Sequence, residues 1–130
     1  EFLALHAWYT LPQLTPQLEN RFQRITLVNR AMTERLTIDT DICFRNLINE
    51  NFAALPGLAV VELKRDGRTP SPIRETLNEL HVRPAGFSKY CMGCVLTDRE
   101  LKQNRFKPKI RRARKMEAAS ENILNNDFIL

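Results

Sequence analysis

The chain has 130 residues, of which 43% are hydrophobic and 27% are charged, with four glycines and seven prolines. This composition is typical of one globular domain and excludes a collagen, a disordered tail and a disulfide-rich scaffold. No run approaches the roughly 18 apolar residues that a membrane-spanning helix needs, and the first ten residues lack the features of a signal peptide.

The residue pattern in the first half of the chain predicts β-strands. Residues 22–28 alternate and are rich in β-forming side chains, and a short turn joins them to residues 35–42, where polar and apolar residues alternate strictly. We expect these two segments to form a hairpin. A polar loop at 46–51 precedes a third predicted strand at 58–64, which ends in a turn at 65–68.

The alternation assigns the strand residues to two faces. One face of the second strand carries the polar set Arg35, Thr37, Asp39 and Asp41, and the other carries Leu36, Ile38 and Ile42. We expect the apolar face to be the core, packed against helices. Arg24 on the first strand shares a face with Thr26, and Glu62 shares a face with Lys64 on the third.

Helical periodicity replaces the alternation after Pro70. Ser71 is a suitable N-cap, and apolar residues follow at helical spacing. A second short helix is predicted at 88–96 behind Ser88, and the remaining segment is helical with Pro108 as an interruption. Strands followed by helices predict an α+β fold, in which the helices pack on an antiparallel sheet.

The net charge of +5 is concentrated near the end of the chain. Residues 1–100 contain 12 basic and 12 acidic residues, whereas residues 101–130 contain 8 basic and 3 acidic ones. All eight basic residues lie between Lys102 and Lys115. Such a cluster is either a solvated helix face or a surface that attracts a polyanion through diffuse, salt-screened charge.

The three cysteines do not form a recognisable framework. Cys43, Cys91 and Cys94 are an odd number without secretory features, which predicts a reducing compartment such as the cytoplasm. The Cys91–Cys94 spacing is half of a zinc site, but the sequence holds no second pair, so we favour packed thiols over metal ligands.

The mixed charges on the strands allow two interpretations. They fit an ordinary hydrated sheet face with cross-strand ion pairs. They also fit a site where Arg and Lys bind phosphate oxygens while a carboxylate holds a divalent cation.

Four motifs in register resemble the C-terminal half of a VTC domain, the polyphosphate polymerase domain of the vacuolar transporter chaperone family in the triphosphate tunnel superfamily. They are Phe22-x-Arg24, Glu34-Arg35-Leu36-Thr37-Ile38-Asp39, Val60-Val61-Glu62-Leu63-Lys64, and Gly86-Phe87-Ser88-Lys89-Tyr90 with Gly93. The resemblance covers about residues 8 to 115.

This resemblance implies a fold and a reaction. The fold is an antiparallel β-barrel tunnel, and the reaction transfers the γ-phosphate of ATP to a growing polyphosphate chain with Mn or Mg present. It implies that Arg24, Arg35 and Lys89 bind phosphate and that Glu62 binds the metal. Lys64 lies on the same strand as Glu62 and would face into the tunnel, so the resemblance implies that Lys64 is a catalytic residue too.

Two departures from the family pattern limit what the chain does alone. Phe22 stands where the family tends to have Tyr, and the first half of the tunnel is absent. Three strands cannot close such a barrel. Because the chain also begins with Glu1, we expect a partial domain (core about 8–100, basic helical segment 101–130) that is inactive without an N-terminal half or a second chain, for instance in a homo-oligomer.

Two alternative functions stay open. The same scaffold could carry a triphosphate hydrolase, because a fold does not fix a reaction. A non-catalytic module for polyanions or nucleic acid is the other alternative. Specific nucleic-acid binding is not expected, because Phe106 is the one aromatic residue within the basic run.

Overall fold

A computed structural model describes residues 2–6, 11–67 and 70–126. Residues 8–10 of the predicted core and Arg68 of the predicted turn lie outside the described residues. The elements in chain order are α1 (Phe2–His6), a 3₁₀ turn (Leu11–Gln13), β1 (Leu18–Val28), β2 (Glu34–Asn46), β3 (Phe52–Leu55), β4 (Val60–Arg65), α2 (Pro72–Glu79), α3 (Lys89–Thr97) and α4 (Lys107–Asn126).

The strands form one antiparallel sheet around β2. β1 pairs with one side of β2 along its length. β3 and β4 share the other side, with β3 beside the C-terminal half of β2 and β4 beside its N-terminal half. The predicted α+β class is confirmed, and within the described residues the sheet is open rather than a closed barrel.

The predicted elements differ from the observed ones mainly in extent. β1 and β2 begin earlier or end later than predicted, and β3 was not predicted because its four residues hold two alanines with little β-preference. The prediction that Pro108 interrupts a helix is wrong. Pro108 lies in the first turn of α4, where its missing N–H removes no intrahelical hydrogen bond.

Both predicted serine caps are confirmed. The Ser71 hydroxyl accepts a hydrogen bond from the Arg74 N–H at 3.1 Å, and the Ser88 hydroxyl accepts one from the Cys91 N–H at 3.2 Å. Each cap satisfies one of the N–H groups that a helix start leaves unpaired. Ser88 therefore fixes where α3 begins.

A β-bulge in β2 changes which residues share a face. Arg21 lies opposite Cys43 and Gln23 opposite Thr40, so two residues of β2 stand opposite one residue of β1. Asp41, one of those two, has a left-handed backbone with φ of 51°. The alternation is therefore inverted after Asp41, and the prediction that Ile42 lies on the same face as Leu36 and Ile38 is wrong.

The core lies on the face that this bulge creates. Ile42 and Phe44 are buried on the same side of the sheet as Arg24 and Asp39, beneath Met92 of α3 and Ile110 of α4. Other members of the cluster are Leu55, Leu58, Val95 and Ala113. One sheet face thus holds both the apolar core and the polar residues predicted for the site.

The prediction that the helices pack on the opposite apolar face is wrong for α3 and α4, which pack on the face of Ile42 and Phe44. Leu36, Ile38, Val61 and Leu63 do share the opposite face, and Leu36 is buried there. However, Ile25 and Leu27 beside them on β1 are 57% and 52% exposed. The physical reason is the bulge, because it moves the most apolar part of β2 to the other side of the sheet, where α3 and α4 bury it.

The longest helix described, α4, has 20 residues and is strongly basic in its first half. None of the helices in the described ranges is both long and apolar enough to span a membrane.

Candidate functional site

Strand pairing places four predicted site residues on one face of the sheet. Arg35 lies directly opposite Lys64. Glu62 lies opposite Thr37, and Arg24 lies opposite Asp39. Because directly opposed residues in a sheet point to the same side, Arg24, Arg35, Glu62 and Lys64 are co-facial, as the alternation predicts.

Asp39 is the centre of the most ordered part of this face. Arg24 donates to it through Nε at 2.6 Å and through Nη2 at 2.8 Å, in the bidentate geometry that Arg and carboxylates prefer. Lys89 Nζ lies 2.5 Å from the second oxygen. Asp39 is only 1% exposed, so its charge is compensated by two cations rather than by water.

Phe22 supports the two cations from one side. The Arg24 guanidinium carbon lies 4.9 Å from the centroid of the Phe22 ring, and Lys89 Nζ lies 4.7 Å from it. Both distances are within the range of cation–π attraction. The ring therefore stabilises the positions that Asp39 also fixes, and it does so without the hydroxyl that a Tyr would add.

The two cations shift the pKa of the carboxyl group strongly. The hydrogen bond from Arg24, helped by Lys89 and opposed by burial, lowers the pKa of Asp39 to about 2. The hydrogen bond to Asp39 in turn raises the pKa of Arg24. Asp39 is therefore ionised near neutral pH, where one carboxylate and two cations give the cluster a local charge of +1.

α3 brings Lys89 to this cluster from a distant part of the sequence. Lys89 is the first residue of α3, directly after the Ser88 cap. Gly93, one turn later, lies against the side chains of Leu18 and Phe44, where a Cβ atom would overlap both. The close approach of α3 to the sheet thus depends on Gly93, and it places Lys89 over Asp39.

The remaining predicted residues are more exposed and freer to move. Lys64 Nζ lies 3.3 Å from Glu62 Oε1, with the two side chains 60% and 51% exposed. Arg35 is exposed and forms no ion pair with any residue in the described ranges. These three side chains can rearrange around a ligand at little cost.

This face could hold a divalent cation only together with further ligands such as phosphate or water. No group of three or more His, Cys, Asp or Glu side chains suited to a metal occurs in the described part of the chain. Glu62 supplies one carboxylate, and the buried hydroxyl of Thr37 directly opposite has no hydrogen-bond partner. Mg and Mn are commonly bound through one or two carboxylates together with substrate phosphates and water.

Sequence reasoning missed the roles of Asp39 and Phe22. The alternation in β2 predicts that Asp39 lies on the polar face. It does not predict the contact with Lys89, which is 50 positions further along the chain. Counting the hairpin register outward from the turn would have placed Asp39 opposite Arg24. Cys43, Cys91 and Cys94 are free thiols of intermediate burial.

The fold and site define an α+β domain that gathers arginine and lysine side chains on one face of an antiparallel sheet, and such side chains are suited to contact phosphate oxygens. The family comparison is more specific: the family model "VTC domain" matches residues 4–97. The chain therefore belongs to the VTC domain family, which is related to polyphosphate polymerases. No curated protein and no solved structure matches the chain.

Proposed function

We propose that this domain is part of a polyphosphate polymerase, which transfers the γ-phosphate of ATP to the end of a polyphosphate chain. Membership of the VTC domain family supports the reaction class. The observation that carries the proposal is the arrangement of Arg24 and Lys89 around the buried Asp39, on the same face as Arg35 and Glu62.

The two held cations retain the capacity to bind phosphate. Arg24 uses two of the roughly five N–H donors of a guanidinium on Asp39, and Lys89 uses one of its three. The remaining donors can contact phosphate oxygens. Because Asp39 and Phe22 already fix both cations, little side-chain entropy is lost when a phosphate binds.

Arg35, Lys64 and Glu62 complete the proposed site on the more exposed part of the face. Arg35 would bind a second phosphate group, and Glu62 would hold Mn or Mg, leaving Lys64 free to contact phosphate. The cation would neutralise charge on the phosphate oxygens. The residues of this chain act by positioning phosphates and stabilising negative charge, which is what phosphoryl transfer requires.

Because the sheet is open, strands from outside the described residues could complete the site. β1 and β4 flank β2, so further strands can be added at either outer edge. We propose that an N-terminal half of the tunnel or a second copy of the chain supplies them, and that the chain without them is inactive. The cytoplasmic location stays a prediction.

The activity test uses a domain completed by its tunnel strands. It is incubated with ATP and Mn, and the products are separated by chain length. Long phosphate chains are expected for a polymerase. Release of inorganic phosphate alone would show the hydrolase alternative, and binding without turnover would show a non-catalytic module.

Glu62→Gln in the same protein is expected to lose metal-dependent turnover, by about a hundredfold or more, while the fold is retained. The amide is nearly isosteric but removes the hard anionic ligand. Glu50→Gln is the matched control, since Glu50 is an exposed carboxylate that pairs with Arg45 away from the site. An unchanged Mn dependence of Glu62→Gln would show that Glu62 is only the ion-pair partner of Lys64.

A further inference from the structure

A groove between the end of α3 and the first half of α4 has a composition different from the sheet site. It has a volume of about 270 Å³. Val95 and Ile110 contribute apolar surface, and the Gln103 side chain donates hydrogen bonds to the carbonyls of Val95 at 3.0 Å and Asp98 at 3.3 Å. These bonds fix the connection between the two helices and therefore the shape of the groove.

Four cationic side chains line this groove. Lys107, Arg111 and Arg114 are spaced four and three residues apart on α4, so they lie on one helix face, and Arg99 contributes from the segment after α3. No carboxylate lines the groove, and none of the four cations forms an ion pair with a residue in the described ranges. The groove thus carries four uncompensated positive charges.

The direction of α4 adds to this positive potential. Lys107 begins the helix, and its first turn contains no acidic residue. The start of a helix is the positive end of its dipole, where acidic side chains are the stabilising choice. Basic residues at this end are unfavourable in the free protein, and an anion in the groove would relieve that repulsion.

The shape and lining of the groove favour one class of anion. No aromatic residue lines it, so nucleic-acid bases would find no surface to stack on. Its volume of about 270 Å³ lies near the lower end of the range for small-molecule sites, roughly 300–1,000 Å³. A narrow, unbranched chain of phosphates fits both the size and the charge.

We propose that the groove of Arg99, Lys107, Arg111 and Arg114 is a second binding site, specific for a condensed phosphate chain. It lies toward the C-terminal end of α3, whereas Lys89 is at the N-terminal end of this nine-residue helix, which is about 13 Å long. ATP is bound at the sheet site, whereas a long chain contacts both sites or the groove alone. This inference goes beyond the proposed reaction and holds even if the chain has no polymerase activity.

The test compares two double variants of α4 that remove the same charge. Arg111→Gln/Arg114→Gln alters the groove, and Arg112→Gln/Lys115→Gln alters exposed residues of the same helix that do not line it. Affinities for long-chain polyphosphate, for ATP and for a single-stranded DNA of similar length are measured at low and high salt. Circular dichroism and thermal unfolding check the fold.

The groove variant is expected to bind polyphosphate about tenfold or more weakly at both salt concentrations, because it loses charge-assisted hydrogen bonds. The control is expected to lose less than about threefold, and only at low salt. Neither variant should change ATP affinity. If Arg111→Gln/Arg114→Gln does not fold, Arg99→Gln is measured instead, with the same direction expected and a smaller loss.

Three outcomes would overturn the inference. Equal losses in both double variants would show only diffuse attraction, and no loss in the groove variant would show no site. An equal loss of DNA and polyphosphate would show a nucleic-acid surface. Lys89→Ala separates this inference from the proposed function: weaker ATP binding at both salt concentrations supports the sheet site, and unchanged ATP binding contradicts that site without affecting the groove.

Discussion

A single residue, Asp39, holds together two cationic side chains that would otherwise repel each other. Arg24 and Lys89 come from β1 and α3, and Asp39 is the carboxylate that both of their charged groups contact. Removing one partner of a buried ion pair leaves the other partners uncompensated, which is costly. The carboxylate is therefore a positioning residue for the two cations that we propose to bind phosphate.

The low pKa of Asp39 predicts a pH dependence of stability. Its pKa is about 2 in the folded protein and 3.8 without the interactions, so the stabilisation is fully present above about pH 5 and is lost as the pH falls toward 2. The difference corresponds to about 2 kcal/mol. In Asp39→Asn this contribution should be absent at all pH values.

Urea unfolding of the protein and of Asp39→Asn at several pH values checks this prediction. The gap in unfolding free energy between the two should be largest near neutral pH and should shrink by about 2 kcal/mol toward pH 2. Asp98→Asn is a suitable control, because Asp98 forms no ion pair with a residue in the described ranges. A gap that does not change with pH would mean that Asp39 is not held in the charged cluster.

At the scale of elements, the packing of α3 on the sheet determines whether Lys89 reaches Asp39. Gly93 is the point of closest approach, and Ser88 fixes the start of the helix one turn earlier. A shift of α3 by a fraction of the width of a side chain would separate Lys89 from the carboxylate. The packing of α3 and the position of Lys89 at the proposed phosphate site are therefore linked.

Gly93→Ala is expected to destabilise the protein by about 1–3 kcal/mol, because the new methyl group overlaps Leu18 and Phe44. It should also weaken ATP binding, because α3 must move outward. Gly86→Ala is the matched control, since its Cβ would meet only Lys109 Nζ at 3.7 Å. Denaturant unfolding and ATP titration of both variants provide the measurement, and equal stability of the two would contradict the close packing of α3.

For the whole molecule, the sequence contains more information about the elements than about how they are arranged. The alternation in β2, the serine caps and the α+β order are local signals, and each one was readable without the structure. The placement of α3 and α4 was not, because one bulge residue, Asp41, reverses the two faces and leaves no mark in the alternation of the residues before it. Four co-facial site residues could be identified because all of them lie on one side of that bulge.

The partners of the site residues were harder to predict for a different reason. Arg24 and Asp39 meet through a register that the turn between β1 and β2 sets, and Lys89 joins them only through helix packing. Likewise, the sequence of the basic run leaves open whether it is a solvated helix face or a surface that attracts polyanions. In the structure, Lys107, Arg111 and Arg114 of this run line the groove, whereas Arg112 and Lys115 do not.

The bulge at Asp41 makes the length of β2 more constrained in evolution than its composition. Asp41→Gly should be tolerated or stabilising by up to about 1 kcal/mol, because glycine adopts a φ of 51° without strain. Deleting Asp41 should instead abolish cooperative unfolding and soluble yield, because Phe44 would then point away from Met92. A deletion scan through β2 that tolerates loss of Asp41 as well as loss of a loop residue such as Glu50 would contradict this. Homologous sequences should accordingly vary in residue type at this position while retaining a residue there. An alignment gap at this position would mark a domain whose core and proposed site residues no longer share a face.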